Sequence, residues 1–270
     1  MQKLERIELD GTVNTRDLGG IKTMDGQTIQ PHRLLRSDRL TFASVGDKKK
    51  LTDEINLRLI VDFRTERERS QAPDPIIPNV RYEVDPILES SVLGITHEAE
   101  SSARSAAALR QSSFDSEQHM KDLYRTMGES TYTIFHYRIF FRQLLDMNEG
   151  AVLWHCSTGK DRAGIAAALI LKVLGVDDET IHSDYMRTND FIADRFCCEA
   201  EEILSEMPEG NEKDLCRQRY LAMFTGRPYY IDIFFDSFIK KYGSIESAFA
   251  NGLGLGRKEI DQLKVMYLCR

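Results

Sequence analysis

The run Trp154-His155-Cys156-Ser157-Thr158-Gly159-Lys160-Asp161-Arg162-Ala163-Gly164 crowds a thiol, a glycine, two cations and a carboxylate into eleven residues. The apolar Ala151-Val152-Leu153-Trp154 precedes it, and AGIAAALILKVLG follows, apolar almost all round. A strand, a tight loop and a buried helix account for that pattern. Such a loop turns backbone N–H groups toward its centre, and the positive end of the helix dipole adds to them, so the product is a cup for one phosphate. Cys156 ends the strand and lies at the bottom, where these surroundings lower a thiol from about 8.5 into the roughly 3.5–7.5 range and leave a thiolate at neutral pH. Arg162 offers a planar fork for two phosphoryl oxygens, which a lysine cannot copy. Gly159 permits the positive φ that a loop of this tightness needs. Ser157, Thr158, Gly159, Lys160, Ala163 and Gly164 then line the cup as its substrate-binding residues.

The spacing of cysteine and arginine alone is weak, because five cysteines and 23 arginines produce it by accident. The strand before, the glycine within, the preceding His155 and the small-residue helix after carry the reading. Against it stands a buried thiol beside a surface arginine. His155 has two readings: an organiser that bonds backbone behind the cup and tunes the sulfur, or an ordinary core histidine. Lys160 also has two: a second cation toward a polyphosphorylated headgroup, or a solvated side chain.

The elements that must hold this loop can be traced along the chain. Asp25-Gly26 marks a hairpin between Gly20–Thr23 and Thr28–Gln30, and Arg33–Ser37 follows as a short strand. A helix runs from about Ala43 to Glu54, and Leu57–Arg64 reads as a buried parallel strand. Arg81–Val84 is another strand, and residues 97–130, rich in Ser, Ala and charge, read as a mobile helical insertion resembling a lid. Tyr132, Phe135, Ile139, Phe140 and Leu144 mark one face of a helix that ends near Asp146. Gly175 caps the helix after Arg162, and Asp177 or Asp178 starts the next, through about Phe196. The remaining third is helical with glycine punctuation. Neither repeats nor a linker interrupt the 270 residues, so the expectation is a single α/β domain: a mostly parallel central sheet flanked by helices, with a helical insertion and a helical C-terminal layer.

Composition limits the partners. A net charge of -7 and a pI near 5.5 argue against nucleic acid held by a basic face, so any phosphate affinity is local. Cysteines 156, 197, 198, 216 and 269 are odd in number and lack metal-ligand spacing, which points to free thiols in a reducing compartment and to no metal site. No apolar stretch reaches eighteen residues and the N-terminus lacks a signal-peptide core, so a soluble, cytoplasmic protein is expected. Secretion by a route without a cleavable signal would leave no mark in such a sequence.

The loop HCSTGKDRAG resembles the signature of cysteine-dependent phosphatases, and its HCxxGKDR form is similar to that of the atypical bacterial tyrosine and phosphoinositide phosphatases. Asn14-Thr15-Arg16-Asp17-Leu18-Gly19-Gly20, Leu35-Arg36-Ser37-Asp38, Val61-Asp62-Phe63-Arg64 with Glu66 behind, Arg227-Pro228 and Tyr242-Gly243-Ser244 also resemble that family, leaving only the Ser/Ala-rich insertion unmatched. The resemblance implies a cofactor-free two-step reaction on a phosphorylated protein or phosphoinositide. Cys156 attacks phosphorus, the cup and Arg162 stabilise the charge, a carboxylic acid protonates the leaving alcohol, and water releases the cysteinyl-phosphate. For the acid it implies Asp161; Asp62, at the end of a central strand, is the second choice, and the other reading of either is a structural carboxylate that pairs a loop arginine. Arg16 and Asp17 are expected to brace the loop from below, with Arg36 and Arg64 as further partners. The chain departs from many relatives at Ala163, where a Ser or Thr hydroxyl would ease departure of the sulfur. Ser157 or Thr158 must substitute, or the second step is slow.

Two other classes compete: a phosphate-binding module with weak turnover, and sulfur or arsenate redox chemistry. A binding module has no need of a thiol together with Asp161, and a redox role wants a resolving cysteine nearer than Cys197.

Overall fold

The computed structural model describes residues 6–89, 109–110 and 115–269. The strands are β1 (Arg16–Asp17), β2 (Thr28–Ile29), β3 (Leu34–Ser37), β4 (Leu57–Asp62), β5 (Arg81–Val84), β6 (Ala151–His155) and β7 (Leu268–Cys269). Five of them form one sheet in the order β1-β3-β6-β4-β5, in which β3, β6, β4 and β5 run parallel and β1 is antiparallel at one edge. The expected mostly parallel α/β architecture is therefore the one observed. The helices are α1 (Val45–Lys49), α2 (Glu66–Gln71), α3 (Ser116–Glu129), α4 (Thr131–Leu145), α5 (Arg162–Leu174), α6 (Asp178–Met186), α7 (Thr188–Ile203), α8 (Asn211–Phe224), α9 (Pro228–Tyr242), α10 (Ile245–Ser247) and α11 (Arg257–Tyr267).

Both faces of the sheet are buried, which is why its central strands read as continuous apolar runs. Leu59, Val61, Val152 and Trp154 face the larger core with α3, α4, α5 and the C-terminal helices. Leu57, Ile60, Ala151 and Leu153 face a smaller one with Leu40, Leu51 and Ile55. The parallel strands all finish at the same edge, so His155 lies beside Asp62 on one side and Ser37 on the other. That edge is where α5 begins.

Three expectations are refined. The Asp25-Gly26 turn forms, but β2 then pairs antiparallel with β7, since its hydrogen-bonding edge is completed by residues 240 positions away rather than by the other arm of the hairpin alone. The helix expected from Ala43 is α1 continued by one π-helical stretch, Lys50–Glu54. The helix expected from Asp177 to Phe196 is two: Asp177 caps α6 by accepting from the Thr180 N–H at 2.8 Å, and the chain breaks at Arg187 before α7. Gly175 ends α5 with φ +89°, as a left-handed cap requires. Among the described residues, no helix is long and apolar enough to cross a membrane.

The insertion expected over 97–130 lies partly outside the described residues. Its described part differs from a lid. In α3, Met120, Tyr124 and Met127 are fully buried in the main core, and Gly128 lets the helix press on α9: a Cβ there would lie 2.6 Å from the Phe234 carbonyl oxygen and 2.8 Å from the Ser237 Cβ. Helix propensity favours alanine over glycine by about 1 kcal/mol, but overpacking costs about 1–3 kcal/mol, and rigid backbone is the obstacle. Gly128→Ala is therefore expected to lower the urea midpoint of unfolding, against the propensity trend.

Candidate active site

Cys156 follows β6 directly and is 1% exposed, with Arg162 opening α5 six residues on. Between them the backbone is turned by its neighbours. The Asn14 side-chain amide donates to the Thr158 carbonyl at 2.9 Å, and Arg36 Nη2 donates to the Gly159 carbonyl at 2.7 Å. In a trans peptide the following N–H points opposite to the carbonyl, so drawing these two oxygens outward turns the Gly159 and Lys160 N–H groups inward, the second of them donating to the Thr158 hydroxyl at 3.4 Å. Among the described residues, the N–H groups of Ser157, Thr158, Gly159 and Asp161 donate to no protein acceptor. Gly159 has φ +72°, and a Cβ on it would lie 2.7 Å from the Ser37 carbonyl and 2.8 Å from the Asn14 amide nitrogen. Only glycine fits.

Under the loop, Arg16 and Arg36 share one carboxylate. Arg16 Nε donates to Asp184 Oδ1 at 3.3 Å, Arg36 Nη1 donates to Oδ2, and all three groups are buried. Burial and the neighbouring Arg36 pull Arg16 down to about 9, and it remains a cation at neutral pH. Two guanidiniums against one carboxylate leave a buried positive surplus on the outer side of the cup, which favours an anion inside it. Asp17 shapes the neighbouring hairpin. Its carboxylate accepts from the Gly19 and His32 N–H groups, each at 2.7 Å.

Arg162 is fixed by a residue that its own motif does not contain. Glu68 accepts from Nη1 and Nη2 at 2.7 Å each, and the Phe63 carbonyl accepts from Nη1 at 3.3 Å. The expected fork toward two phosphoryl oxygens is thus engaged by a carboxylate here. The same Glu68 accepts from the Ser157 hydroxyl at 2.5 Å and closes a capping box on α2 with Thr65. Thr65-x-x-Glu68 is a helix-start signature legible in the sequence. Its second role was not.

His155 Nε2 lies 3.0 Å from Asp74 Oδ2 and 3.9 Å from Asp62 Oδ1, and Nδ1 lies 3.2 Å from the Cys156 carbonyl. Burial disfavours the imidazolium, but Asp62 and Asp74 outweigh it and raise the histidine above its ordinary value. The Nδ1 contact with backbone is of the kind that the organiser reading expects. Asp62 is corrected as a candidate acid. Arg64 Nε donates to its two oxygens at 3.0 and 3.1 Å, Arg64 Nη2 donates at 2.7 Å, and the Tyr82 hydroxyl donates as well. Burial pushes this carboxyl up, yet His155 and Arg64 hold it at about 2, so it stays ionised. Asp62, Asp74 and His155 have ligand-type atoms within 4.8 Å of one another, but the Arg64 guanidinium already spans both carboxylates, and a cation would have to displace it.

Lys160 is corrected too. It is fully buried, and its ammonium points inward, donating to the Met223 carbonyl at 2.6 Å and lying 3.3 Å from Asp161 Oδ1. It anchors the loop on the C-terminal end of α8 rather than reaching for a headgroup. Asp161 accepts from the Tyr124 hydroxyl at 2.6 Å. Ala163 and Gly164 occupy the first turn of α5, whose N–H groups have no intrahelical acceptor, and a Cβ on Gly164 would lie 3.0 Å from Arg36 Nη2.

The chain belongs to the tyrosine phosphatase family, whose model matches residues 7–269. It is 29% identical over 185 residues, 68% of its own length, to a tyrosine-protein phosphatase named in Cupriavidus necator. It is 26% identical, over an alignment 274 positions long that covers 96% of its length, to a tyrosine-protein phosphatase of Nostoc commune. It is likewise 26% identical over 200 residues, 68% of its length, to the triple specificity protein phosphatase PtpB of Mycobacterium tuberculosis. The matches span 63%, 74% and 70% of those relatives.

Glu68 gives the site a pH signature. Burial raises its carboxyl, but Arg162 and Ser157 hold it at about 2 against an ordinary 4.5. A depressed folded value means that its stabilisation is present above pH 4.5 and is lost as pH falls toward 2, worth on the order of 3 kcal/mol. Urea unfolding between pH 6 and 2 is expected to show a steep loss of stability over about pH 4.5–2 in the wild type, and a shallower slope in Glu68→Gln.

Proposed function

We propose that the chain is a cysteine-dependent phosphomonoester hydrolase acting on phosphotyrosine, with phosphoserine, phosphothreonine and phosphoinositides as further substrates. The observation that carries this reading is the loop whose carbonyls are drawn outward by Asn14 and Arg36 while Cys156 stands at its base. Cys156 attacks phosphorus in line and forms a cysteinyl-phosphate. The inward N–H groups and the Arg162 charge stabilise the equatorial oxygens as negative charge builds. Asp161 gives its proton to the departing alcohol oxygen, and water then attacks the intermediate, returning a proton to Asp161. Glu68 keeps Arg162 in place through both steps, and His155, held by Asp74, fixes the backbone at the strand end. Ser157, Thr158, Gly159, Ala163 and Gly164 contribute backbone N–H groups. The Ser157 hydroxyl is committed to Glu68, so Thr158 is the hydroxyl left to take the place of the one missing at Ala163.

The names of the three relatives support the phosphatase reading, and PtpB is named for triple specificity. Release of p-nitrophenol from p-nitrophenyl phosphate in the presence of a chelator is the direct test. Wild type is expected to turn over and to be inhibited by vanadate, and Cys156→Ser is expected to lose at least about 10³-fold. Retained activity in Cys156→Ser would falsify the mechanism. Asp161→Asn is expected to lose about 10²–10⁴-fold on aryl phosphates with poor leaving groups and far less on those with good ones.

A further inference from the structure

If Asp161 is the proton donor, as the proposed function holds, one of its two carboxyl oxygens must carry the proton. Oδ1 is already an acceptor: the Tyr124 hydroxyl lies 2.6 Å away and Lys160 Nζ 3.3 Å away. Tyr124 has a single hydroxyl hydrogen, and that hydrogen is directed at Asp161. The 2.6 Å contact between the Tyr124 and Tyr185 hydroxyls therefore has Tyr185 donating. The hydrogens run one way, from Tyr185 to Tyr124 to Asp161. Burial raises both phenols well above their ordinary range, so the chain keeps its protons.

The chain is also rigid. Tyr124 comes from α3 and Tyr185 from α6, and both are fully buried. Tyr230 of α9 stacks on the Tyr124 ring at 5.0 Å and 22°, while Tyr185 meets it edge-on at 6.4 Å and 82°. Lys160, the other donor to Oδ1, is pinned by the Met223 carbonyl at 2.6 Å.

We propose that Tyr124 and Tyr185 are positioning residues whose one-way hydroxyl chain holds Asp161 by Oδ1, so that the proton resides on Oδ2 and is delivered from there to the leaving group. As the phosphorus–oxygen bond breaks and the sulfur–phosphorus bond forms, the proton passes from Oδ2 to the alcohol oxygen. The carboxylate left behind finds two donors already aimed at it, so no rearrangement accompanies the transfer. Segment 115–129 thus reaches the chemistry through a side chain two contacts away from phosphorus.

The test is the ratio of kcat/KM, which reports the step that expels the leaving group, for phenyl phosphate, whose leaving group needs a proton, to that for 2,4-dinitrophenyl phosphate, whose leaving group departs unaided. Tyr124→Phe is expected to lower that ratio about tenfold, the scale of one charge-assisted hydrogen bond. Tyr185→Phe should lower it less, because Tyr185 acts only through Tyr124. Combining Tyr124→Phe with Asp161→Asn should lower it no further than Asp161→Asn alone. Thermal unfolding of each variant shows that the fold persists. Equal losses on both substrates, with the ratio unchanged in Tyr124→Phe and Tyr185→Phe, would mean that the hydroxyls only support packing, and the proposal falls. If Asp161→Asn itself leaves the ratio at the wild-type value, the assignment of the donor fails first, and this inference with it.

Discussion

Two carbonyl oxygens, those of Thr158 and Gly159, set the character of this site. Left to itself, a six-residue loop would present a mixture of C=O and N–H groups to whatever it encloses, and the mixture would repel and attract an anion in turn. Asn14 and Arg36 remove that ambiguity by accepting the cost of burying polar side chains behind the loop and bonding both oxygens there. Each peptide plane then points its N–H the other way. The N-terminal segment, which contributes no atom to the proposed chemistry, decides which way the loop faces.

Charge follows the same division of labour. Behind the cup, Arg16 and Arg36 outnumber Asp184, and the uncompensated cation lies in a region from which water is excluded. Beside it, Glu68 returns a negative charge to Arg162 and so fixes the guanidinium. A third cluster, built from His155, Asp74, Asp62 and Arg64, closes the strand end. A buried pair that loses one partner leaves the other unpaired at a cost of several kcal/mol, so these three clusters constrain one another through the loop that they share.

The parts of this arrangement that a reader of the sequence could find are those with short range. The strand before Cys156, the glycine at 159, the helix after 162 and its left-handed end at Gly175 depend on neighbours a few residues away, and they read correctly. What failed had long range. The inward turn of Lys160 depends on the end of α8, more than sixty residues on. The second role of Glu68 depends on Arg162, 94 positions away, and is hidden because Thr65-x-x-Glu68 is fully explained as a cap. Asp62 looked like a candidate acid because it ends a strand next to the loop. Only its four donors, the Arg64 backbone N–H, Nε and Nη2 and the Tyr82 hydroxyl, show that it is held ionised at neutral pH. The helical character of 115–129 was expected, but its Ser- and charge-rich surroundings suggested detachment, while its buried face of Met120, Tyr124 and Met127 holds it in the core.

The pairing of β2 with β7 has an effect on how the molecule comes into being. Thr28 faces Cys269 and Ile29 faces Leu268, so the hairpin beside the bracing segment gains this partner only when residues about 240 positions further on are in place. Contacts of such separation are slow to close, because chain entropy must be lost before they form. The central sheet, whose partners lie nearer in sequence, can therefore assemble before this two-stranded ribbon closes beside it.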